Sequence, residues 1–316
     1  SGGLVDGPVY GNIFKSLNST GVPLSQPDLI RNYIFMHVRP EDSLDFDKNQ
    51  WSKLENDYIK TDGKLDDYKF GQFFRDYLIS LRSTYHKPPE TFDVFESRYE
   101  ATEFIPVELV KNLRQYSNYY SVISGVIPDI SESVTYWLTQ IKSLESTTTY
   151  PMILSLFEYR HNGLINSEEL AKGIQMLASF ILRRFICSES SRGYGQMFIR
   201  NLGVNNKPIE DLHSYLITKG WPSNEKFIGS FVRTPLYIRS YAKHILSSLE
   251  VLRKHKEPAN LNLTQVEHIM PRTLSDDWKN CLGTDHQRIY NEWLNTPGNL
   301  TLSAYNQELW NYTFDK

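Results

Sequence analysis

Four polar side chains near the C-terminus have the types and spacing needed for hydrolytic chemistry. Glu267 and His268 stand side by side at the end of a strand-like stretch, and Asn299 and Asn306 follow. A neutral histidine can take a proton from water near pH 7. Carboxylate and amide oxygens are hard ligands of the kind that hold Mg²⁺, which stabilises charge on a scissile phosphate. The set predicts metal-dependent hydrolysis of a phosphodiester.

The segment that carries these residues is predicted to fold as strand, loop, strand and helix. Leu261 to Val266 alternates like a strand, Gly298 to Leu302 is typical of a turn and a short strand, and Ser303 to Asn311 predicts a capped helix. A polar loop with two tryptophans is predicted between the strands. Adjacent strand residues point to opposite faces, so Glu267 and His268 share a site only if the strand ends there.

The rest of the chain has the periodicity of a mainly α-helical body. Ser25-Gln-Pro-Asp28 and Asn166-Ser-Glu-Glu169 are typical helix starts. Apolar residues at helical spacing predict further helices at about 69–85, 106–124, 131–144, 151–159 and 230–252, and one that starts at Glu225. The aromatic stripe between Phe70 and Tyr77 is predicted to be core.

Composition limits the class of protein. The chain has 316 residues, of which 40% are hydrophobic and 13% aromatic, and this excludes a disordered chain. Two cysteines, Cys187 and Cys281, cannot form a disulfide framework or a four-cysteine zinc site, and they favour a reducing compartment. The formal net charge is −3, so a nucleic-acid partner must meet a local basic patch.

The basic, proline-stopped stretch from Arg253 to Pro258 is the predicted domain boundary. It divides a helical domain, residues 9–255, from a C-terminal domain, residues 256–316. Residues 1–8 have the composition expected of a tag remnant or a fragment edge. Two interpretations of the basic side chains stay open, since they could form a solvated linker or hold a DNA backbone. The candidates for DNA contact are Arg253, Lys254, Lys256 and Arg272.

The order Glu-His-Ile-Met-Pro (267–271), Gly-Asn-Leu-Thr-Leu (298–302), Asn306 and Asn311 resembles the HNH nucleases of the ββα-metal type. Among these, it is most similar to the C-terminal nuclease domain of GmrSD-type modification-dependent restriction enzymes. Residues 14–33 and 180–187 resemble upstream parts of the same proteins. The resemblance implies a multi-helix body with a small C-terminal ββα-metal finger. It also implies a DNA endonuclease of phage defence in the bacterial cytoplasm.

The resemblance also implies a role for each site residue. His268 matches the general base, and Asn299 matches the asparagine that orients the base and steadies the loop. Asn306 matches a metal ligand, Glu267 stands where an acidic ligand is common, and Asn311 is a second candidate. Mg²⁺ is the implied ion, with Mn²⁺ as a substitute and no structural zinc. The implied substrate is DNA, in particular modified phage DNA.

The family's N-terminal half carries a nucleotide-handling domain with an Asp-Gly-Gln-Gln-Arg motif, and this sequence has neither that motif nor a phosphate-binding loop. We therefore expect the chain to be a C-terminal portion whose partner is the missing N-terminal domain of the same protein.

Other interpretations of single residues stay open. Glu267 could be an ordinary loop acid, Asn306 and Asn311 a solvated helix face or a helix C-cap, and one of Arg183 and Arg184 a buried ion-pair partner. For the whole chain, the alternative is a helical module that senses DNA modification or binds a protein, with a finger that is inactive or only binds DNA.

Overall fold

The computed structural model describes residues 24–81, 84–100, 103–199, 202, 206–254, 256 and 260–304. The helices are α1 (Gln26–Phe35), α2 (Asp67–Ser80), α3 (Thr91–Glu100), α4 (Pro106–Ile123), α5 (Glu132–Ser143), α6 (Tyr150–His161), α7 (Ser167–Ile186), α8 (Pro208–Thr218), α9 (Asn224–Phe231), α10 (Ala242–Leu252), α11 (Asp276–Leu282) and α12 (His286–Trp293). Two strands, β1 (Gln265–His268) and β2 (Leu300–Ser303), form a small antiparallel sheet. The expected mainly α fold is confirmed.

Short helical turns connect these elements. They are Pro40–Asp42, Ser43–Phe46, Asp47–Trp51, Ser52–Glu55, Asn56–Tyr58, Pro88–Glu90, Thr147–Thr149, Tyr194–Met197, Leu236–Ile238, Leu261–Leu263, Gly283–Asp285 and Pro297–Asn299. Within the described part of the chain, no helix combines the length and the apolar character that crossing a membrane requires.

The chain forms two compact units. The first comprises Ser1–Pro128, Thr148–Asn162 and Gly195–Asn201, and the second comprises Asp129–Thr147, Gly163–Tyr194 and Leu202–Lys316. The predicted boundary between residues 255 and 256 stays a prediction.

The first unit is built around the aromatic face of α2. Phe70, Phe73, Phe74 and Tyr77 are at most 1% exposed, and the ring of Tyr58 stacks on Phe70 with 4.4 Å between centroids. Aromatic pairs at such distances add to the free energy gained by burying their surface. The prediction that the stripe on this helix is core is confirmed.

Helix α7 is the longest helix of the second unit. Asn166 caps it in a reciprocal capping box with Glu169, as the sequence predicts. Arg184, near its C-terminal end, is buried. The Arg184 guanidinium donates hydrogen bonds to the Tyr194 hydroxyl (3.0 Å) and to main-chain carbonyls of Lys219 (3.0 Å), Gly220 (3.4 Å) and Ser190 (2.9 Å).

Among the described residues, neither Arg183 nor Arg184 forms the expected ion pair. Of the two arginines, Arg184 is buried, but its hydrogen-bond acceptors are main-chain carbonyls and the hydroxyl of a tyrosine. Arg183 donates to the Pro222 carbonyl (3.0 Å) and to the Asn224 side-chain oxygen (2.7 Å). A guanidinium has five donors, so carbonyls satisfy it without the desolvation of a second charge.

Two expectations for the C-terminal segment are wrong. The stretch predicted as a polar loop contains α11 and α12, and Ser275 caps α11 by accepting from the Trp278 N–H. The predicted strand from Leu261 instead begins as a helical turn, and β1 starts only at Gln265. The side chain of Asn260 accepts from the Asn262 N–H, a local bond that favours a turn over a strand.

Candidate active site

The antiparallel sheet brings three of the predicted site residues, Glu267, His268 and Asn299, into one region. His268 pairs with Leu300, and Glu267 pairs with Thr301. His268 is the last residue of β1, and Asn299 directly precedes β2. The strand therefore ends at the histidine, which meets the condition under which Glu267 and His268 can serve one site.

Asn299 is buried and holds the loop that follows His268. Its Oδ1 accepts from the Met270 N–H (2.6 Å), while its Nδ2 donates to the carbonyls of Met270 (3.2 Å) and Leu294 (2.8 Å). The Asn299 carbonyl also accepts from the Ile269 N–H (2.9 Å). These bonds join β1, the segment before β2 and the loop between them. Asn299 thus has the geometry of a residue that steadies the loop.

Two residues that the sequence analysis did not single out hold the His268 ring. The Nε2 atom of His268 lies 3.2 Å from Oδ1 of Asn295, and the ring of Tyr237 packs against the imidazole with 4.1 Å between centroids. The Tyr237 N–H donates to the Asn295 carbonyl (3.1 Å). An amide oxygen only accepts, so Nε2 carries the proton and the lone pair of the neutral ring is on Nδ1.

The surroundings of His268 favour its neutral form. Burial lowers the pKa of His268 below its usual value of 6.5, and the positive charge of Arg272 lowers it further. The hydrogen bond to Asn295 and the carboxylate of Glu267 act in the opposite direction, but burial is the larger effect. His268 is therefore neutral at pH 7, as a group that accepts a proton must be.

The contact with Asn295 predicts how the His268 pKa responds to charge. In Asn295→Asp, a carboxylate beside Nε2 stabilises the imidazolium, so we expect the pKa to rise by about 1–3 units. An NMR titration of the imidazole should place the wild-type midpoint below pH 6.5. The midpoint of the variant should lie above that of the wild type. Asn291→Asp is the control, because Asn291 is exposed on α12 and its side-chain oxygen accepts from Gln287 rather than from His268. An unchanged midpoint in Asn295→Asp would contradict the contact.

The structure describes one of the predicted metal ligands, Glu267. Glu267 is half-buried, and its carboxylate is close enough to His268 to affect the histidine pKa. Asn306 and Asn311 lie outside the described residues. Across the described ranges, no three His, Cys, Asp or Glu side chains gather into a metal-binding group. Among the expected oxygen ligands of the metal, the described residues therefore include the Glu267 carboxylate.

The predicted DNA-contact residues are all exposed. Arg253, Lys254 and Lys256 follow α10, and Arg272 follows the loop after His268. The Arg272 carbonyl accepts from the Tyr290 hydroxyl (2.6 Å), and this bond fixes its main chain.

Comparison with known families bears on the same part of the chain. Residues 221–316 match the family model described as GmrSD restriction endonucleases, C-terminal domain. The chain carries a GmrSD-type C-terminal domain. The matched range starts at Trp221 and includes Tyr237, His268, Asn295 and Asn299. The GmrSD-type domain therefore contains both the predicted base and the side chains that hold it. No curated protein matches the chain.

Proposed function

We propose that the chain is a metal-dependent DNA endonuclease of the HNH (ββα-metal) type. It would belong to a modification-dependent restriction enzyme that acts on modified phage DNA in the bacterial cytoplasm. The observation that carries the proposal is the geometry of His268, whose ring is held by Asn295 and Tyr237 at the end of β1 and whose Nδ1 has no hydrogen-bond partner among the described residues. The GmrSD-type domain around it supports DNA as the substrate.

The residues of the chain suit the proton transfers of phosphodiester hydrolysis. His268 accepts a proton from water at Nδ1, and the hydroxide attacks phosphorus. Asn295 Oδ1 holds the opposite nitrogen of the resulting imidazolium. The bond from phosphorus to the 3′-oxygen breaks, which leaves a 5′-phosphate and, once the oxygen takes a proton, a 3′-hydroxyl. Asn299 keeps the loop after His268 in place during these steps by its main-chain bonds.

The residues present fit a divalent metal in part. The Glu267 carboxylate is a hard oxygen donor beside the proposed base, and we propose that Asn306 and Asn311 supply the remaining protein ligands. Bound Mg²⁺, or Mn²⁺ in its place, would stabilise the negative charge on the scissile phosphate.

The proposed contacts with DNA are electrostatic. Arg272 carries a positive charge close enough to His268 to lower its pKa, and this supports the proposal that Arg272 contacts the reacting phosphate. Arg253, Lys254 and Lys256 would hold the backbone further along, as exposed Lys and Arg side chains do in nonspecific DNA binding.

Plasmid cutting tests the proposal. The purified protein should convert supercoiled plasmid to nicked or linear forms with Mg²⁺ or Mn²⁺ and should do nothing in EDTA. The activity should follow the protein peak across a size-exclusion column, which controls for a contaminating nuclease. Plasmids with and without modified cytosine test the dependence on modification. A protein that shifts DNA in a gel but never cuts it would contradict the proposal and support the binding module.

A further inference from the structure

We propose that a cavity beside the candidate active site binds one phosphate-bearing nucleotide of the substrate strand, next to the nucleotide that is cut. The inference rests on the proposed function, since it takes DNA as the ligand. The cavity, here called the flanking-nucleotide pocket, has a volume of about 380 Å³ and is lined by Phe185, Ser188, Glu189, Ser191, Arg239 and Tyr241. Its volume is in the range of pockets that hold small organic ligands.

The walls of the flanking-nucleotide pocket combine aromatic and polar surface. The rings of Phe185 and Tyr241 stack on each other with 5.6 Å between centroids, and they form an apolar wall. Ser188 and Ser191 are exposed and present hydroxyl groups. An apolar wall suits a sugar or base, and hydroxyls suit its hydrogen-bonding edges.

The charge balance of the pocket favours an anion. Arg239 is exposed, and its guanidinium has no hydrogen-bond or ion-pair partner among the described residues. The acid of the pocket, Glu189, is paired with Lys226, and the pKa of Glu189 is lowered by that pair and by the charge of Arg184. Within the described part of the chain, the pocket therefore has one uncompensated positive charge, that of Arg239. A guanidinium binds phosphate well because its planar donors match the phosphate oxygens.

The pocket and the proposed base share one short segment of chain. Tyr237 packs on His268, and Arg239 lies two residues further along, after the turn Leu236–Ile238. Two trans peptides span at most about 7.6 Å between Cα atoms. This short connection is the reason for placing the pocket next to the nucleotide that is cut.

The test measures DNA binding without cutting. The full chain is titrated into a fluorescein-labelled 12-nucleotide single strand and the matching duplex in EDTA, and anisotropy is read over a range of salt concentrations. Arg239→Gln should weaken binding about 5–10-fold and reduce the slope of log K against log salt by about 0.7–0.9, the value for one lost phosphate contact. Arg239→Lys should restore part of the affinity.

A second variant tests the cavity itself. Ser191→Phe fills the pocket without removing a charge, at an exposed position outside any helix, and it should weaken binding at least 5-fold. Lys172→Gln is the control. Lys172 is exposed on α7, 13 residues before the pocket residue Phe185, a rise of roughly 20 Å along the helix. This control should leave the affinity unchanged, and thermal melts should show that all variants fold.

The outcomes separate the pocket from the nuclease. Loss of affinity in Arg239→Gln but not in Ser191→Phe would overturn the pocket, because Arg239 would then bind phosphate elsewhere. Unchanged affinity in both variants, or no binding by the wild type, would overturn it as well. Binding that depends on both residues, with no metal-dependent cutting, would leave the pocket standing and contradict the proposed function. Metal-dependent cutting together with normal affinity in both variants would support the proposed function and overturn the pocket.

Discussion

Replacement of His268 by alanine is expected to lower the rate of plasmid cutting by about 10²–10⁴-fold, the usual contribution of a general base. The variant removes the imidazole that Asn295 and Tyr237 hold in place. The ring is half-buried and belongs to a short sheet, so the loss of its contacts should change the melting temperature little. DNA affinity measured in EDTA should stay within about twofold, because His268 is neutral and acts on water rather than on the strand.

The matched control for this prediction is His286→Ala. His286 is half-buried at the start of α12, and its Nδ1 contacts the Gly283 carbonyl of its own turn (3.0 Å). It should cut at the wild-type rate. If His268→Ala also cuts at the wild-type rate, His268 is not the base, and the reaction centre must lie elsewhere in the chain.

Replacement of Asn299 by alanine should both destabilise the C-terminal domain and reduce cutting. The Asn299 side chain satisfies three buried or half-buried main-chain groups, the Met270 N–H and the carbonyls of Met270 and Leu294. Each such group left without a partner costs about 1–3 kcal/mol. We expect the free energy of unfolding to fall by at least about 3 kcal/mol, and the loop after His268 to open more often than in the wild type.

Hydrogen exchange gives the local readout for Asn299→Ala. The amides of Ile269 and Met270 should lose protection by at least about 100-fold, because 1.4 kcal/mol corresponds to a factor of 10 at equilibrium. Asn291→Ala, an exposed position on α12, should leave both amides as they are in the wild type. Wild-type protection of Met270 in Asn299→Ala would show that Asn299 does not hold this loop.

The local features of the fold can be predicted from the sequence. The capping boxes at Ser25 and Asn166 involve residues three apart, so short-range rules describe them fully. The aromatic stripe of α2 has a clear helical period, and its burial follows. Helices α11 and α12 are predicted as loop because each is only about two turns long and mostly polar, so each offers too few apolar residues to reveal a repeat.

The contacts that hold the candidate site could not be predicted from the sequence, because they join residues that are far apart in the chain. Asn295 lies 27 residues after His268, and only the pairing of β1 with β2 brings the two together. Tyr237 comes from a turn before α10 and has no feature in its neighbourhood that distinguishes it from the other tyrosines. In the sequence, Asn299 has the features of an ordinary turn residue after a glycine. Its hydrogen bond to the Met270 main chain is visible only in the structure.

The contacts of Arg184 bear on how this sequence can diverge. Arg184 binds the main-chain carbonyls of Ser190 and Lys219, and a carbonyl is present whatever the side chain. Relatives could therefore replace residues 190 and 219 and keep these two hydrogen bonds of Arg184. Gly220 is the exception, because its φ of +82° lies in the left-handed region that favours glycine. Selection should act on Arg184 and Gly220, and the loops around them are the places where insertions and new side chains could accumulate.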